Sequence, residues 1–116
     1  MKILNSFGFA INGIITAFKM NLNLKIHLVI AILVIIAGLL FNLSQIEFIL
    51  VIVLISLVFS AEMINCALEE VVNLLIKEHS IEAKIAKDVS AGMVLVVSIA
   101  AFICGFIIFL PYIFPK

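Results

Sequence analysis

The sequence predicts an all-α integral membrane protein, in which an N-terminal amphipathic surface helix precedes three transmembrane helices. Its 116 residues are 66% hydrophobic and 12% charged, whereas a soluble domain is nearer half apolar and a quarter charged. The mean hydropathy of +1.44 reflects three long apolar stretches. Net charge is zero and arginine is absent, so no basic surface suggests nucleic acid as a partner.

Residues 1–20 are predicted to form the surface helix. Polar or small side chains recur there at helical spacing, and the opposite face is apolar, a pattern typical of a helix lying in the membrane interface. The polar or small positions are Lys2, Asn5, Gly8, Asn12, Thr16 and Lys19, and the apolar ones are Ile3, Leu4, Phe7, Ile11, Ile14, Ile15 and Phe18.

Two spans follow, over residues 26–43 and 46–70. The first is apolar apart from His27 and is long enough to cross a bilayer. A short polar turn, Asn42 to Gln45, separates the two spans, and Ser44 is a candidate N-cap for the second. Because so few residues join them, the two spans are expected to be antiparallel neighbours.

A polar loop is predicted over residues 71–87 and a third span over 88–114. The lysines set the orientation, because three precede the first span, three lie between the second and third, and the Asn42 to Gln45 turn has none. The positive-inside rule therefore places the N-terminus and the polar loop in the cytoplasm, with the chain as a single multi-pass membrane domain.

One polar stripe interrupts the second span near its cytoplasmic end. At 100° per residue, Glu62, Asn65, Glu69 and Asn73 fall within an arc of about 80°. Glu62 lies about 24 Å beyond the start of this helix, near the cytoplasmic boundary of a hydrocarbon core about 30 Å thick. A helix end emerging into water explains Glu69, but Glu62 has apolar neighbours on both sides, and a general base or cation site explains it better.

Two further groups are expected at the same membrane level. Lys87 and Asp88 open the third span, either as a helix cap and a positive-inside anchor or as a site where the lysine holds a phosphate. Asn21 and Asn23 come just before the first span. His27 is expected to lie near the membrane surface and to reach the interface or hydrogen-bond to lipid.

These residues resemble the prokaryotic diacylglycerol kinase family. The resemblance rests on Glu62-x-x-Asn65-x-Ala67-x-Glu69, on Ala86-Lys87-Asp88 and on Ala91-Gly92. The stretches from Ala10 to Phe18 and from Asn23 to His27 resemble the Gram-positive branch, many of whose members phosphorylate undecaprenol. The resemblance covers nearly the whole chain.

What the resemblance implies is a homotrimeric lipid kinase that uses ATP with Mg²⁺ and shares its active sites between neighbouring subunits. Glu62 would be the general base, with Asn65 beside it, and Glu69 would be a metal ligand. The nucleotide would be bound by Lys87 and Asp88, by the loop from Glu78 through His79 to Ser80, and by Asn73 and Lys2. Oligomerisation is also expected physically, because three spans provide too few walls to surround both a lipid hydroxyl and a nucleotide.

Three positions depart from the family pattern. Asn21, the expected second metal ligand, replaces a usual glutamate, and Asn73 replaces a usual aspartate. An amide oxygen ligates Mg²⁺ without contributing charge, so metal affinity is expected to differ. Lys2 stands where the family has an arginine, which weakens any bidentate phosphate contact.

The sequence thus predicts transfer of the ATP γ-phosphate to a membrane lipid alcohol, either undecaprenol, which the flank ending at His27 favours slightly, or diacylglycerol. A second interpretation is a degenerate kinase that binds lipid or nucleotide without turnover, as Asn21 and Asn73 suggest. A third is a small channel-forming subunit with the polar stripe lining a pore, which leaves Lys87 and Asp88 unexplained.

Overall fold

The fold is known from a computed structural model, which describes residues 2–115. Every regular element in that range is an α-helix. The four helices are α1 (Lys2–Met20), α2 (Leu22–Leu40), α3 (Gln45–Leu75) and α4 (Ile81–Ile113).

The junctions between helices are set by side chains that cap the chain ends. Asn21 caps α2, since its side chain accepts a hydrogen bond from the backbone N–H of Asn23. Ser44 caps α3 and forms a capping box with Glu47, which confirms the N-cap predicted from sequence. Between α2 and α3 the backbone reverses at Asn42, whose φ of 54° lies in the left-handed region that asparagine tolerates.

The polar stretch predicted as a loop over 71–87 is mostly helical, and this prediction needs correction. Helix α3 continues to Leu75 and α4 begins at Ile81, so the connection is reduced to residues 76–80. No glycine or proline interrupts this stretch, and Ser80 caps α4 by accepting from the N–H of Ala83. The charged side chains here extend from helical turns into the surroundings, so their polarity did not mark the helix ends.

Helix α3 is the centre of the helix bundle, with α2 and α4 packed against it. At the turn end of the bundle, the Tyr112 hydroxyl of α4 donates a hydrogen bond to Glu47 of α3. The ring of Phe41 lies 6.1 Å from that of Phe109, centroid to centroid. These contacts join the start of α3 to the end of α4.

Most of the apolar surface is exposed, as expected for helices that face lipid. All four helices are long and apolar enough to cross a membrane, by length and composition alone, and α1 is the least apolar of them. The chain is a multi-pass membrane protein. Residues 2–16 of α1 are all exposed, and only its last turns touch the bundle, through buried Ala17 and through Phe18, whose ring lies 5.8 Å from that of Phe59. The surface location of α1 stays a prediction.

Candidate active site

A buried carboxylate lies in the second half of α3. Glu62 is 1% exposed and Asn65, one turn later, is 7% exposed, whereas most of α3 is open to its surroundings. Both side chains lie on the helix face that packs against neighbouring elements. Because an unpaired buried charge is costly, the groups that surround Glu62 determine whether this arrangement is stable.

The start of α2 supplies amide donors to one oxygen of this carboxylate. The Asn21 Nδ2 donates to Glu62 Oε1 at 3.1 Å, and the Asn23 Nδ2 lies 3.5 Å from the same oxygen. Asn21 can reach Glu62 because it is the non-helical residue between α1 and α2, with its Oδ1 turned back to cap α2. The α1–α2 junction is thereby linked to the middle of α3.

The second oxygen of Glu62 is in a different environment. Its Oε2 has no hydrogen-bond partner among the described residues, and the Nε2 of His27 approaches it to 3.6 Å. That separation is longer than a normal hydrogen bond. Glu62 therefore presents one satisfied oxygen and one that is available to a further donor.

A polar cleft of about 160 Å³ extends from this carboxylate. Along the cleft, Asn65 Nδ2 donates to Glu69 Oε1 at 3.3 Å, while the buried Asn65 Oδ1 has no partner within residues 2–115. Glu69 itself is exposed. The residues lining the polar cleft are Met20, Asn21, Asn23, Glu62, Asn65, Cys66, Glu69 and Glu70.

The oxygens of the polar cleft suit a hard cation such as Mg²⁺, which prefers carboxylate and amide oxygens. Glu69 offers an exposed carboxylate, and Asn65 offers a buried amide oxygen that lacks a partner. Among the described residues, no three His, Cys, Asp or Glu side chains gather into a metal site of their own. This donor set fits a Mg²⁺ ion that is held by one or two protein groups together with substrate phosphates.

An apolar groove of about 430 Å³ runs between α2, α3 and α4. Apart from His27 and Ser98 its lining is apolar. Its lining comprises His27, Ile30, Ala31, Val34, Val51, Leu54, Ile55, Val58, Phe59, Ser98, Ala101, Phe102, Gly105, Phe106, Phe109, Leu110 and Ile113. Since His27 lines the apolar groove and Glu62 lines the polar cleft, the two cavities adjoin at the 3.6 Å approach between these side chains.

The structure brings together four of the residues selected from sequence, and it leaves the predicted nucleotide-binding residues outside the polar cleft. Asn21, Glu62, Asn65 and Glu69 all line it. Asp88 is exposed and pairs with Lys84 at 2.6 Å, while Lys87 is half-buried. Ser80 is the cap of α4, and the others are exposed, namely Lys2, Asn73, Glu78 and His79.

His27 is the site residue that sequence reasoning missed. The sequence predicts a side chain that reaches the interface or hydrogen-bonds to lipid, but His27 is half-buried beside Glu62. One signal was present in the sequence, because Asn23 and His27 are four residues apart and share a helix face. What the sequence lacked was the contact across to α3.

Comparison with known proteins agrees with the family resemblance found in the sequence. Residues 8–109 match the prokaryotic diacylglycerol kinase family. The chain is 38% identical to the undecaprenol kinase of Bacillus subtilis over 110 residues, which cover 95% of this chain and 89% of that relative. It is 40% identical to the diacylglycerol kinase of a Synechocystis species over 111 residues, 95% of this chain and 63% of that longer relative.

Proposed function

The chain belongs to the prokaryotic diacylglycerol kinase family, and we propose that it transfers the γ-phosphate of ATP, with Mg²⁺, to the hydroxyl of a membrane lipid alcohol. The acceptor is undecaprenol or diacylglycerol, with undecaprenol favoured. The relative from Bacillus subtilis, which bears that name, is matched over nearly its full length. The reaction takes place at the cytoplasmic face of the bacterial plasma membrane.

The observation that carries this proposal is the location of Glu62. One of its oxygens has no hydrogen-bond partner within residues 2–115, and the side chain lies where the polar cleft adjoins the apolar groove. A lipid alcohol has an apolar chain and a polar end, so its chain fits the apolar groove while its hydroxyl reaches Glu62. The nucleotide phosphates then approach from the polar cleft.

In this mechanism Glu62 Oε2 accepts the proton of the lipid hydroxyl as the hydroxyl oxygen forms its bond to the γ-phosphorus. The bond between that phosphorus and the bridging oxygen of ATP breaks, and ADP leaves. The hydrogen bond from Asn21 keeps Glu62 Oε1 in place, so the proton-accepting oxygen stays directed at the substrate. Asn65 lies one turn further along α3 and orients the reacting groups.

Mg²⁺ would be held by Glu69 and by one amide oxygen, either that of Asn21 or the unpartnered one of Asn65, together with the nucleotide phosphates. When bound, the ion neutralises charge on the phosphates, which is the main requirement of phosphoryl transfer. Glu69 is exposed at the polar cleft and so is accessible to a metal that enters with the nucleotide.

Nucleotide contacts are assigned to Lys87 and Asp88, to the residues from Glu78 to Ser80, and to Asn73 and Lys2. In a single subunit these side chains lie outside the polar cleft. The proposal therefore includes a homotrimer in which active sites are shared between neighbouring subunits. The lysine distribution places the N-terminus and the segment from Glu69 to Lys87 on the cytoplasmic side.

The function is tested by transfer of radiolabelled phosphate from ATP to undecaprenol and to diacylglycerol, side by side, with Mg²⁺. Wild-type protein should label at least one lipid. Glu62→Gln should reduce the rate of phosphate transfer at least 1,000-fold, because the base and its charge are lost. This loss corresponds to about 4 kcal/mol of transition-state stabilisation. Glu82→Gln, an exposed carboxylate outside the polar cleft, is the matched control. Wild-type rates in folded Glu62→Gln protein would remove the base assignment.

A degenerate kinase that binds without turnover is the second candidate. Asn21 favours this candidate. Its amide nitrogen donates a hydrogen bond to Glu62, and its amide oxygen, which caps α2, is uncharged and so attracts a metal ion less than a carboxylate would. This candidate predicts no Mg²⁺-dependent ATP consumption with any lipid, whereas the kinase predicts consumption in proportion to the lipid phosphate formed.

A further inference from the structure

His27 has no role in the mechanism described above, although it is the titratable side chain next to Glu62. It lies on α2, its side chain is 23% exposed, and its Nε2 lies 3.6 Å from Glu62 Oε2. The same imidazole lines the end of the apolar groove. It therefore stands between the part of the molecule that suits a lipid chain and the carboxylate that accepts the proton.

The two oxygens of Glu62 differ in how they are held. Oε1 has the Asn21 amide at 3.1 Å and the Asn23 amide at 3.5 Å, whereas Oε2 has no partner among the described residues. A buried carboxylate oxygen without a partner is unfavourable. A small movement of His27 would bring its Nε2 to within hydrogen-bond distance of Oε2, roughly 2.7–3.2 Å. An imidazole with its proton on Nε2 is the donor suited to that position.

We propose that His27 is a positioning residue for Glu62, and that its Nε2–H donates to Oε2 and fixes this oxygen toward the end of the apolar groove. The inference rests on the proposed role of Glu62 as the base. Oε2 has lone pairs for two donors, so it accepts the hydrogen bond from His27 on one side and the proton of the lipid hydroxyl on the other. His27 itself gains and loses no proton in the reaction.

A purely packing role for the imidazole makes a different prediction, and two substitutions separate the roles. His27→Leu keeps an apolar side chain of similar bulk in the apolar groove and removes the donor. His27→Gln places an amide N–H near the position of Nε2 and removes the ring. Positioning requires the donor, whereas packing requires the volume and apolar surface.

The first test is steady-state kinetics with a lipid alcohol acceptor in mixed micelles. His27→Leu should lower kcat about 10- to 100-fold, the loss typical of a misplaced catalytic group, with the KM for ATP unchanged. His27→Gln should recover most of that kcat. Ser60→Ala, which alters an exposed serine of α3 outside both cavities, is the control and should retain wild-type kcat. Unchanged kcat in His27→Leu, or equal losses in both His27 variants, would overturn the inference.

The second test needs no turnover, so it separates this inference from the proposed function. The chain has two histidines, so ¹⁵N-histidine labelling of a His79→Gln protein leaves His27 as the single imidazole signal. Its Nε2 resonance should show a protonated nitrogen at neutral pH and should shift in Glu62→Gln but not in Glu82→Gln. The same resonance in all three proteins would disprove the contact, even in a preparation that phosphorylates no lipid. Conversely, a shift in Glu62→Gln without lipid phosphorylation by wild type would reject the proposed function alone.

Discussion

Asn21 uses both atoms of its side-chain amide in the structure. Its oxygen caps α2 and its nitrogen donates to the buried Glu62 carboxylate. The glutamate that the family resemblance leads one to expect here would lack the N–H, and an aspartate would lack it too while retaining the cap. Its charge would then face that of Glu62 unless a cation lay between them.

This difference leads to a prediction for Asn21→Asp. The substitution preserves the N-cap, because aspartate caps helices as well as asparagine does, and it places two carboxylates about 3 Å apart, as the present hydrogen-bond distance implies. We expect slower lipid phosphorylation at low Mg²⁺ and a partial recovery as Mg²⁺ is raised, since the cation would offset the repulsion. A Mg²⁺ titration of the transfer rate measures this.

Asn23→Asp is the matched control for that titration. Its amide lies 3.5 Å from Glu62 Oε1, at the limit of a hydrogen bond, so its loss should matter less. If Asn21→Asp and Asn23→Asp showed the same Mg²⁺ dependence as wild type, the cation would not lie near the α1–α2 junction.

The residues of the candidate site differ in how far sequence could predict them. Glu62, Asn65 and Glu69 were found because a polar stripe on an apolar helix needs an explanation, and all three line the polar cleft. His27 was missed because one histidine in an apolar run is compatible with many environments. Its relevance depends on a contact between α2 and α3, and helical periodicity carries no information about such contacts.

At the scale of helices, the capping residues were more informative than the charged ones. Ser44 marked the start of α3, and the structure confirms it. The polar run over 71–87 was predicted as a loop, yet α3 and α4 extend into it until only residues 76–80 remain outside. Charged side chains lie on helices as readily as on loops, whereas a cap satisfies backbone groups only at a helix end.

The junction between the start of α3 and the end of α4 supports a stability prediction. Glu47 completes the capping box of α3 and also accepts a hydrogen bond from Tyr112. Tyr112→Phe should lower the melting temperature in detergent, because one of these hydrogen bonds is lost. Glu47→Ala should lower it further, because the cap is lost as well.

Lipid phosphorylation below the melting transition is the control for that series. Glu47 and Tyr112 do not line the polar cleft, so both variants should phosphorylate lipid at the wild-type rate once folded. An unchanged melting temperature in Glu47→Ala would mean that the contacts at this end of the bundle contribute nothing to stability.

Helix α1 raises the question of whether the chain crosses the membrane three or four times. Its length would suffice for a span, yet residues 2–16 are all exposed. A surface helix places Lys2 on the same side of the membrane as the connection that holds His79, whereas a spanning helix places them on opposite sides. We predict the same side.

Cysteine labelling decides between these arrangements. In a background without Cys66 and Cys104, Lys2→Cys and His79→Cys should react with an impermeant maleimide in inside-out vesicles and resist it in right-side-out vesicles. Gln45→Cys, in the short turn before α3, provides the opposite pattern as a control. Reaction of Lys2→Cys from the side of Gln45→Cys would establish a fourth span.

For the whole molecule, the charges of the polar cleft support the proposed sharing of sites between subunits. Three carboxylates line it, from Glu62, Glu69 and Glu70, and the described lining residues include no lysine. ATP, the proposed phosphate donor, would bring further negative charge, so a cation beyond the proposed metal would be needed to hold it. Lys87, the residue assigned to this role, lies on α4 outside the polar cleft, and a neighbouring copy of the chain is the simplest source of its charge.

Sharing of the site between subunits predicts complementation. Glu62→Gln and Lys87→Ala proteins should each be inactive alone, but mixed oligomers should regain part of the lipid kinase activity. An intact cleft on the Lys87→Ala chain would then meet an intact lysine from its neighbour. Mixing Glu62→Gln with Glu69→Gln should restore no activity. Each protein then carries a substitution in its own polar cleft, so no chain in the mixture has an intact one. The measurement is phosphate transfer to lipid after the two proteins are dissociated, mixed and returned to lipid. If neither mixture regained activity, each complete site would lie within a single chain.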